Sequence, residues 1–106
     1  MARDYEQFPD DENGDVLFRM MEHGDNLSKR REVNFSVVFP TDEAALEFAV
    51  HLLKNGQKVS LSPNEVTAHP NMIPSHENIT GYENLLATDA AKWDGRNDGW
   101  GSFQQD

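Results

Sequence analysis

The chain has 106 residues, none of them cysteine, and 19 acidic against nine basic residues give it a formal net charge of −10. Its length suits one domain with a single core, and no apolar run approaches the roughly 18 residues of a membrane span. The absence of cysteine excludes disulfides, thiol catalysis and cysteine zinc sites, and the N-terminus lacks the pattern of a secretory signal. These features predict a soluble, cytoplasmic, single-domain protein.

The acidic residues are unevenly distributed. Residues 1–15 contain six carboxylates, whereas the clearest basic run lies at 29–31. A negative field repels phosphate backbones, which argues against direct nucleic-acid binding, and it attracts basic protein surfaces. The alternative is a solvated surface that serves solubility alone. The six carboxylates are Asp4, Glu6, Asp10, Asp11, Glu12 and Asp15.

Residues 1–12 are predicted to form a flexible acidic arm, which Pro9 helps to keep extended, and residues 13–106 a single domain. A short helix is predicted from Asn13, because apolar residues recur there at helical spacing and Gly24 is placed to end it. These apolar residues are Val16, Leu17, Met20 and Met21.

The segment REVNFSVVFP, residues 31–40, predicts a strand, because its apolar odd-numbered positions alternate with mostly polar ones. Pro40 ends the strand, and Thr41 is predicted to be the N-cap of a helix that stops at Gly56. The residues that this helix is expected to bury are Ala45, Phe48, Ala49, Leu52 and Leu53.

Residues 57–72 predict a β-hairpin, because alternating apolar residues flank the turn-forming sequence Ser62-Pro63-Asn64-Glu65. Ser75 is predicted to cap a third helix, and the GWGSF stretch at 99–103 to form a last strand. The residues expected to be buried in this region are Ile79, Tyr82, Leu85, Leu86, Ala90 and Trp93.

The order of these elements predicts an α+β fold: a ferredoxin-like α/β sandwich with an antiparallel sheet, helices on one face, and an additional N-terminal helix. The last strand would bury much of Trp100, so we expect Trp100→Ala to cost about 3 kcal/mol or more. Strict alternation places Trp100 and Phe103 on opposite faces unless Gly99 or Gly101 forms a bulge.

The candidate chemical groups do not predict an enzyme. His69 and His76 lack the spacing of common zinc motifs, so no metal or other cofactor is expected. The carboxylate pairs Asp10-Asp11 and Asp94/Asp98 lie in predicted loops or the arm, where solvated carboxylates are expected rather than groups for acid–base catalysis.

An RNA-recognition domain shares this predicted topology, but it stacks bases on aromatic residues displayed by its central strands within a basic surface. Here Phe35 and Phe39 lie on the same strand face as Val33 and Val37, which predicts that they belong to the core. The acidic charge also disfavours RNA.

Four segments together resemble the family of the regulator of ribonuclease E activity B. They are FPDDENGDVL at 8–17, REVNFSVVFP at 31–40, DEAALEFA at 42–49 and NDGWGSF at 97–103. The Asp-Gly-Trp-Gly sequence within the last segment is the most specific of these features, and the resemblance covers most of the chain.

The resemblance implies a non-catalytic, cytoplasmic bacterial protein that binds ribonuclease E and inhibits its cleavage of RNA, thereby modulating RNA turnover. The partner would be ribonuclease E or another basic protein, with no direct nucleic-acid or membrane binding. The resemblance transfers no contact residues, so the candidate partner-binding residues come from charge and aromatic character. They are Asp10, Asp11, Glu12, Asp15, Asp94, Asp98 and Trp100.

Two alternatives remain open from the residues. One is a small ligand- or metal-binding enzyme domain that uses His69, His76 and nearby carboxylates. The other is a self-assembling interaction module, a homo-oligomer that forms through an open sheet edge.

Overall fold

A computed structural model describes residues 3–102 of the chain, so Phe103 lies outside the described residues. These residues contain three α-helices and six β-strands. The helices are α1 (Glu12–Glu22), α2 (Asp42–Lys54) and α3 (His76–Ala90). The strands are β1 (Arg31–Glu32), β2 (Asn34–Val38), β3 (Val59–Ser62), β4 (Glu65–Ala68), β5 (Asn71–Met72) and β6 (Arg96–Gly101).

The main sheet is antiparallel, with the strand order β3-β4-β2-β6 among the described residues. Since α2 connects β2 to β3 and α3 leads from the hairpin to β6, this is the split β-α-β arrangement of ferredoxin-like folds. The short strands β1 and β5 form a second antiparallel pair that the sequence pattern did not predict. The predicted α+β fold is confirmed.

The core lies between one face of the sheet and the helices α2 and α3. The predicted alternation along residues 33–39 is confirmed, because all four odd-numbered side chains are buried there. Two predictions of burial are wrong: Leu53 is 57% exposed and Leu85 is 52% exposed. Both lie at the margin of an apolar helical stripe, where helical spacing alone does not show whether a neighbouring element covers the side chain.

The predicted helix starts are confirmed by their hydrogen bonds. The Thr41 hydroxyl accepts from the Ala44 amide at 3.0 Å, and the Ser75 hydroxyl accepts from the Asn78 amide at 3.2 Å. Each bond satisfies an amide that the first turn of a helix leaves without an intrahelical partner.

The described part of the predicted N-terminal arm, residues 3–12, contacts the domain. Phe8 is only 3% exposed, and its ring centroid lies 5.5 Å from that of Phe18. A side chain at Gly14 would collide with the Pro9 carbonyl, so the segment and α1 approach each other closely because Gly14 has no Cβ. The flexibility of the arm and a domain boundary at residue 12 stay predictions.

The loop between α1 and β1 is held by a buried ion pair. The Arg31 guanidinium contacts both carboxylate oxygens of Asp25, at 2.7 and 2.8 Å, and lies 3.5 Å from the Ser102 hydroxyl. Arg31 therefore does not belong to an exposed basic run. It links the start of the short sheet to the residue after β6.

A last strand that contains Trp100 is confirmed, but β6 begins at Arg96, before the predicted start at residue 99, and it contains a bulge. Between the pairs Val37↔Asn97 and Phe35↔Trp100, two residues of β6 face one residue of β2. One of the two is Gly99, with φ of 103°, a conformation that a side chain disfavours. The bulge brings Trp100 to the core side, where it is half-buried rather than fully buried.

Candidate functional site

A groove of about 610 Å³ lies where the start of α1, the middle of α3 and the bulge of β6 meet. Its walls are polar and acidic, with Trp100 and Val16 as apolar components. The lining residues in the described chain are Asp11, Glu12, Asn13, Val16, Thr80, Glu83, Asn97, Asp98, Gly99 and Trp100.

Asn13 links the three elements that form the groove. Its side-chain amide donates to Glu83 Oε1 at 2.6 Å and to Thr80 Oγ1 at 3.1 Å, both on α3. Its side-chain carbonyl accepts from the indole N–H of Trp100 at 2.9 Å. One residue in the first turn of α1 thus fixes the positions of a groove carboxylate and of the groove aromatic.

The β6 bulge places the remaining side chains. Asn97 immediately precedes the bulge. Its side-chain amide donates to the main-chain carbonyl of Glu83 at 2.9 Å and so links β6 to α3. Asp98 lies in the bulge itself and is exposed. The Asp-Gly-Trp sequence therefore supplies a charge, a backbone bend and an anchored aromatic within three residues.

Asp11 stays ionised at acidic pH better than an ordinary aspartate. Its carboxylate accepts from the Gly14 amide at 2.8 Å and lies 2.7 Å from His76 Nε2. Both hydrogen bonds lower the pKa of Asp11 below its usual value, and the bond from the Gly14 amide has the larger effect. The groove consequently keeps this negative charge at more acidic pH than a solvated aspartate would.

Four of the seven predicted binding residues come together in the groove: Asp11, Glu12, Asp98 and Trp100. The other three are exposed elsewhere. Asp10 precedes the N-cap of α1, and Asp15 pairs with Arg3 at 2.8 Å. Asp94 follows a 3₁₀ turn (Ala91–Trp93) and has φ of 58°. A role for any of the seven in binding stays a prediction.

Sequence reasoning missed the residues that α3 contributes. These are Thr80 and Glu83, which line the groove. They share one helical face with His76, which the sequence offered only as a candidate for metal or enzyme chemistry, because the three residues recur at intervals of four and three. That face could have been recognised as polar. Its proximity to Asn13 could not, because the two are more than 60 residues apart in sequence and meet only through the packing of α1 on α3.

The groove has the chemistry of a receptor for a cationic side chain. Four carboxylates, from Asp11, Glu12, Glu83 and Asp98, line it, and its lining within residues 3–102 includes no lysine or arginine. Carboxylates bind guanidinium and ammonium groups through charge-assisted hydrogen bonds, and a tryptophan face adds cation–π attraction.

The other chemical candidates from the sequence have hydrogen-bond partners. His69 lies 2.6 Å from Asn34 Oδ1 and 2.7 Å from Ser60 Oγ, and His76 is joined to Asp11. Within residues 3–102, no group of three or more histidines and carboxylates is arranged to hold a metal ion. No described helix is both long enough and apolar enough to cross a membrane.

The sheet face opposite the helices carries small polar side chains. Ser36, Ser60 and Thr67 lie on it, whereas Phe35 and Phe39 are buried on the helix side. The described strands thus do not display the aromatic platform on which RNA-recognition domains stack bases.

Fold and groove together define the class: a ferredoxin-like α+β domain with an acidic groove containing one tryptophan. The chain belongs to the family described as Regulator of ribonuclease activity B, whose family model matches residues 10–102. A search of the curated proteins finds no relative that matches the chain. The resemblance noted in the sequence is therefore confirmed at the level of the family, which regulates ribonuclease activity.

Proposed function

We propose that this protein is a non-catalytic inhibitor of ribonuclease E that acts by binding the enzyme in the bacterial cytoplasm. Family membership over residues 10–102 is the observation that carries the proposal, because it names ribonuclease regulation as the family's activity. The acidic groove supports a protein partner rather than RNA, since its charge attracts lysine and arginine and repels phosphate.

The groove also suggests how docking is achieved. A lysine or arginine from a basic segment of the ribonuclease inserts between the carboxylates and lies against the Trp100 ring. Because Asn13 already holds Trp100 and Glu83, these groups lose little conformational freedom on binding. The bound protein then restrains RNA cleavage by occupying a basic surface that the nuclease needs for its substrate.

A cleavage assay with the cognate ribonuclease E tests the proposal. We expect dose-dependent inhibition that weakens as salt rises, because salt screens charge–charge attraction. The absence of inhibition, together with no binding in a parallel pull-down, would contradict this function while leaving the family fold intact.

A pair of double variants tests the groove. Glu12→Gln with Asp98→Asn removes two exposed groove charges and should weaken binding about two- to thirtyfold, given about 0.2–1 kcal/mol for each exposed ion pair. The control, Glu22→Gln with Glu77→Gln, removes the same charge at two exposed residues that do not line the groove and should bind like the wild type. Equal losses in both double variants would show that net charge, rather than the groove, attracts the ribonuclease.

A further inference from the structure

The outer side of β3 is an open and uncharged sheet edge. No other strand in residues 3–102 pairs with it, and its sequence is Val-Ser-Leu-Ser. The Lys58 carbonyl accepts from the His69 amide at 2.9 Å, so the alternation of an antiparallel ladder turns the main-chain groups of Val59 and Leu61 away from β4. These groups are placed to form a further ladder.

An apolar surface continues from this edge onto α2. Leu61 is 48% exposed on the helix side of the sheet, and the exposed residues on α2 recur at helical spacing along one flank. They are Leu46 (51% exposed), Val50 (40% exposed) and Leu53 (57% exposed). Four of the seven large hydrophobic residues most exposed in the described chain thus belong to β3 and α2.

From this surface we infer that β3 and α2 form the interface of a symmetric dimer of this chain. A two-fold axis normal to the sheet would pair β3 with β3 of a second copy in antiparallel fashion and keep both α2 helices on one face. This inference concerns the sheet edge opposite to β6 and does not depend on ribonuclease binding.

The spacing of strands and helices fits this arrangement. The helix α2 packs over β3 and β4. The two-fold axis passes midway between the two paired β3 strands. Because adjacent strands lie about 4.8 Å apart, the midpoint of β3 and β4, above which α2 lies, is about 5 Å from that axis. The two α2 helices would therefore lie about 10 Å apart, which is the distance at which helices pack.

The charges along α2 are self-complementary in the same arrangement. Acidic residues lie in its first half, at Glu43 and Glu47, and a lysine lies at its end, Lys54. If Leu46 of one antiparallel helix faces Leu53 of the other, Lys54 of one copy lies opposite residue 45 of the second copy. That position is on the helical turn between Glu43 and Glu47. The favoured occupant of this surface is thus a second copy, despite the net charge of each chain.

Sedimentation equilibrium of the full chain across micromolar to millimolar concentrations tests the dimer. We expect the mass to rise from 12.0 kDa toward twice that value. The double variant Leu46→Glu with Leu53→Glu should raise the dissociation constant at least tenfold. Ile73→Glu with Leu85→Glu, at residues 42% and 52% exposed outside this surface, is the matched control and should change nothing. A monomer at every concentration, or a dimer insensitive to the double variant, would overturn the inference.

Charge exchange tests the symmetry. Glu43→Lys with Glu47→Lys places like charges opposite Lys54 and should weaken self-association, and Lys54→Glu should weaken it as well. A mixture of the two variants should restore dimers, since opposite charges then meet at both ends of the interface. A mixture that stays monomeric while the wild type dimerises would reject the antiparallel pairing of α2.

Hydrogen exchange tests the strand pairing. As concentration rises, the amides of Val59 and Leu61 should exchange more slowly, because they become donors to the second copy. The amides of Ser60 and Ser62, which face β4, serve as internal controls and should change less. Dimerisation without added protection at Val59 and Leu61 would contradict pairing through β3.

Discussion

The two edges of the main sheet differ in regularity, in charge and in the exposed apolar side chains beside them. The edge at β6 is interrupted by a bulge with Gly99 and an acidic residue, and the groove lies beside it. The edge at β3 is regular and uncharged, with exposed leucines next to it. Bulges and charges discourage the addition of another strand, whereas a flat and neutral edge permits it.

This difference shows how one small domain can present two distinct surfaces. The bulge at β6 prevents regular pairing, but it also aims Trp100 at the core side and exposes Asp98 beside the groove. The feature that closes this edge to strands thereby builds a surface for charged side chains. The β3 edge has no such feature, so its main-chain groups and apolar neighbours dominate.

The largest expected effect concerns the buried Asp25–Arg31 ion pair, which contacts Ser102, the residue after β6. Asp25→Ala leaves the Arg31 guanidinium without its buried carboxylate and should lower the free energy of unfolding by about 3–5 kcal/mol. Chemical denaturation measures this loss. Glu32→Ala removes the exposed pair with Lys58 and serves as the control, with an expected loss below about 1 kcal/mol. Similar losses in both variants would show that the buried pair has no special weight.

The next effect concerns the aromatic residue of the β6 edge. Since Trp100 is half-buried, Trp100→Ala should cost about 2 kcal/mol, less than the 3 kcal/mol expected from the sequence for a deeply buried side chain. Trp100→Phe keeps most of the ring but leaves Asn13 Oδ1 without its donor, and should cost about 1 kcal/mol. Thermal or denaturant unfolding distinguishes these values, and a loss near zero for Trp100→Ala would mean that the indole only lies on the surface.

A smaller effect tests the bulge itself. Gly99→Ala forces a side chain into the conformation with φ of 103° and should cost about 1–2 kcal/mol, although the space around it is open. Gly101→Ala is the matched control, because its surroundings are also open and its φ is not in the left-handed region. We expect it to be neutral or slightly stabilising. Denaturation of both variants checks the difference, and equal costs would remove the bulge as their cause.

The smallest effect comes from the Asp11 carboxylate. Its pKa is lower in the folded chain than in the unfolded chain, so its contribution to stability is present above about pH 4, the ordinary range of aspartate. That contribution is lost as the pH falls through the lowered pKa. The stability difference between the wild type and Asp11→Asn should therefore shrink between pH 6 and pH 3. A difference that is constant over this range would contradict the pKa shift.

The sequence pattern predicted the helix caps, a strand within residues 31–40, the hairpin and a last strand that contains Trp100, because each depends on neighbours within a few residues. It did not predict β5 or the exposure of Leu53 and Leu85, since these depend on which distant segment covers a given face. For the candidate groove, charge and aromatic character pointed to Asp11, Glu12, Asp98 and Trp100, but the groove also contains residues of α3.

The sequence by itself determined the net charge, the capped helices, the order of the elements and the glycine that permits the bulge. Local hydrogen bonds and apolar periodicity depend only on residues close together in the sequence, so these properties can be predicted without knowledge of the fold. Only the tertiary structure decided that Asn13 joins Glu83 and Trp100 and that Arg31 is buried against Asp25. It also left β3 as a regular edge strand of the sheet within the described residues. Contacts between residues that are distant in the sequence are fixed by packing and not by spacing.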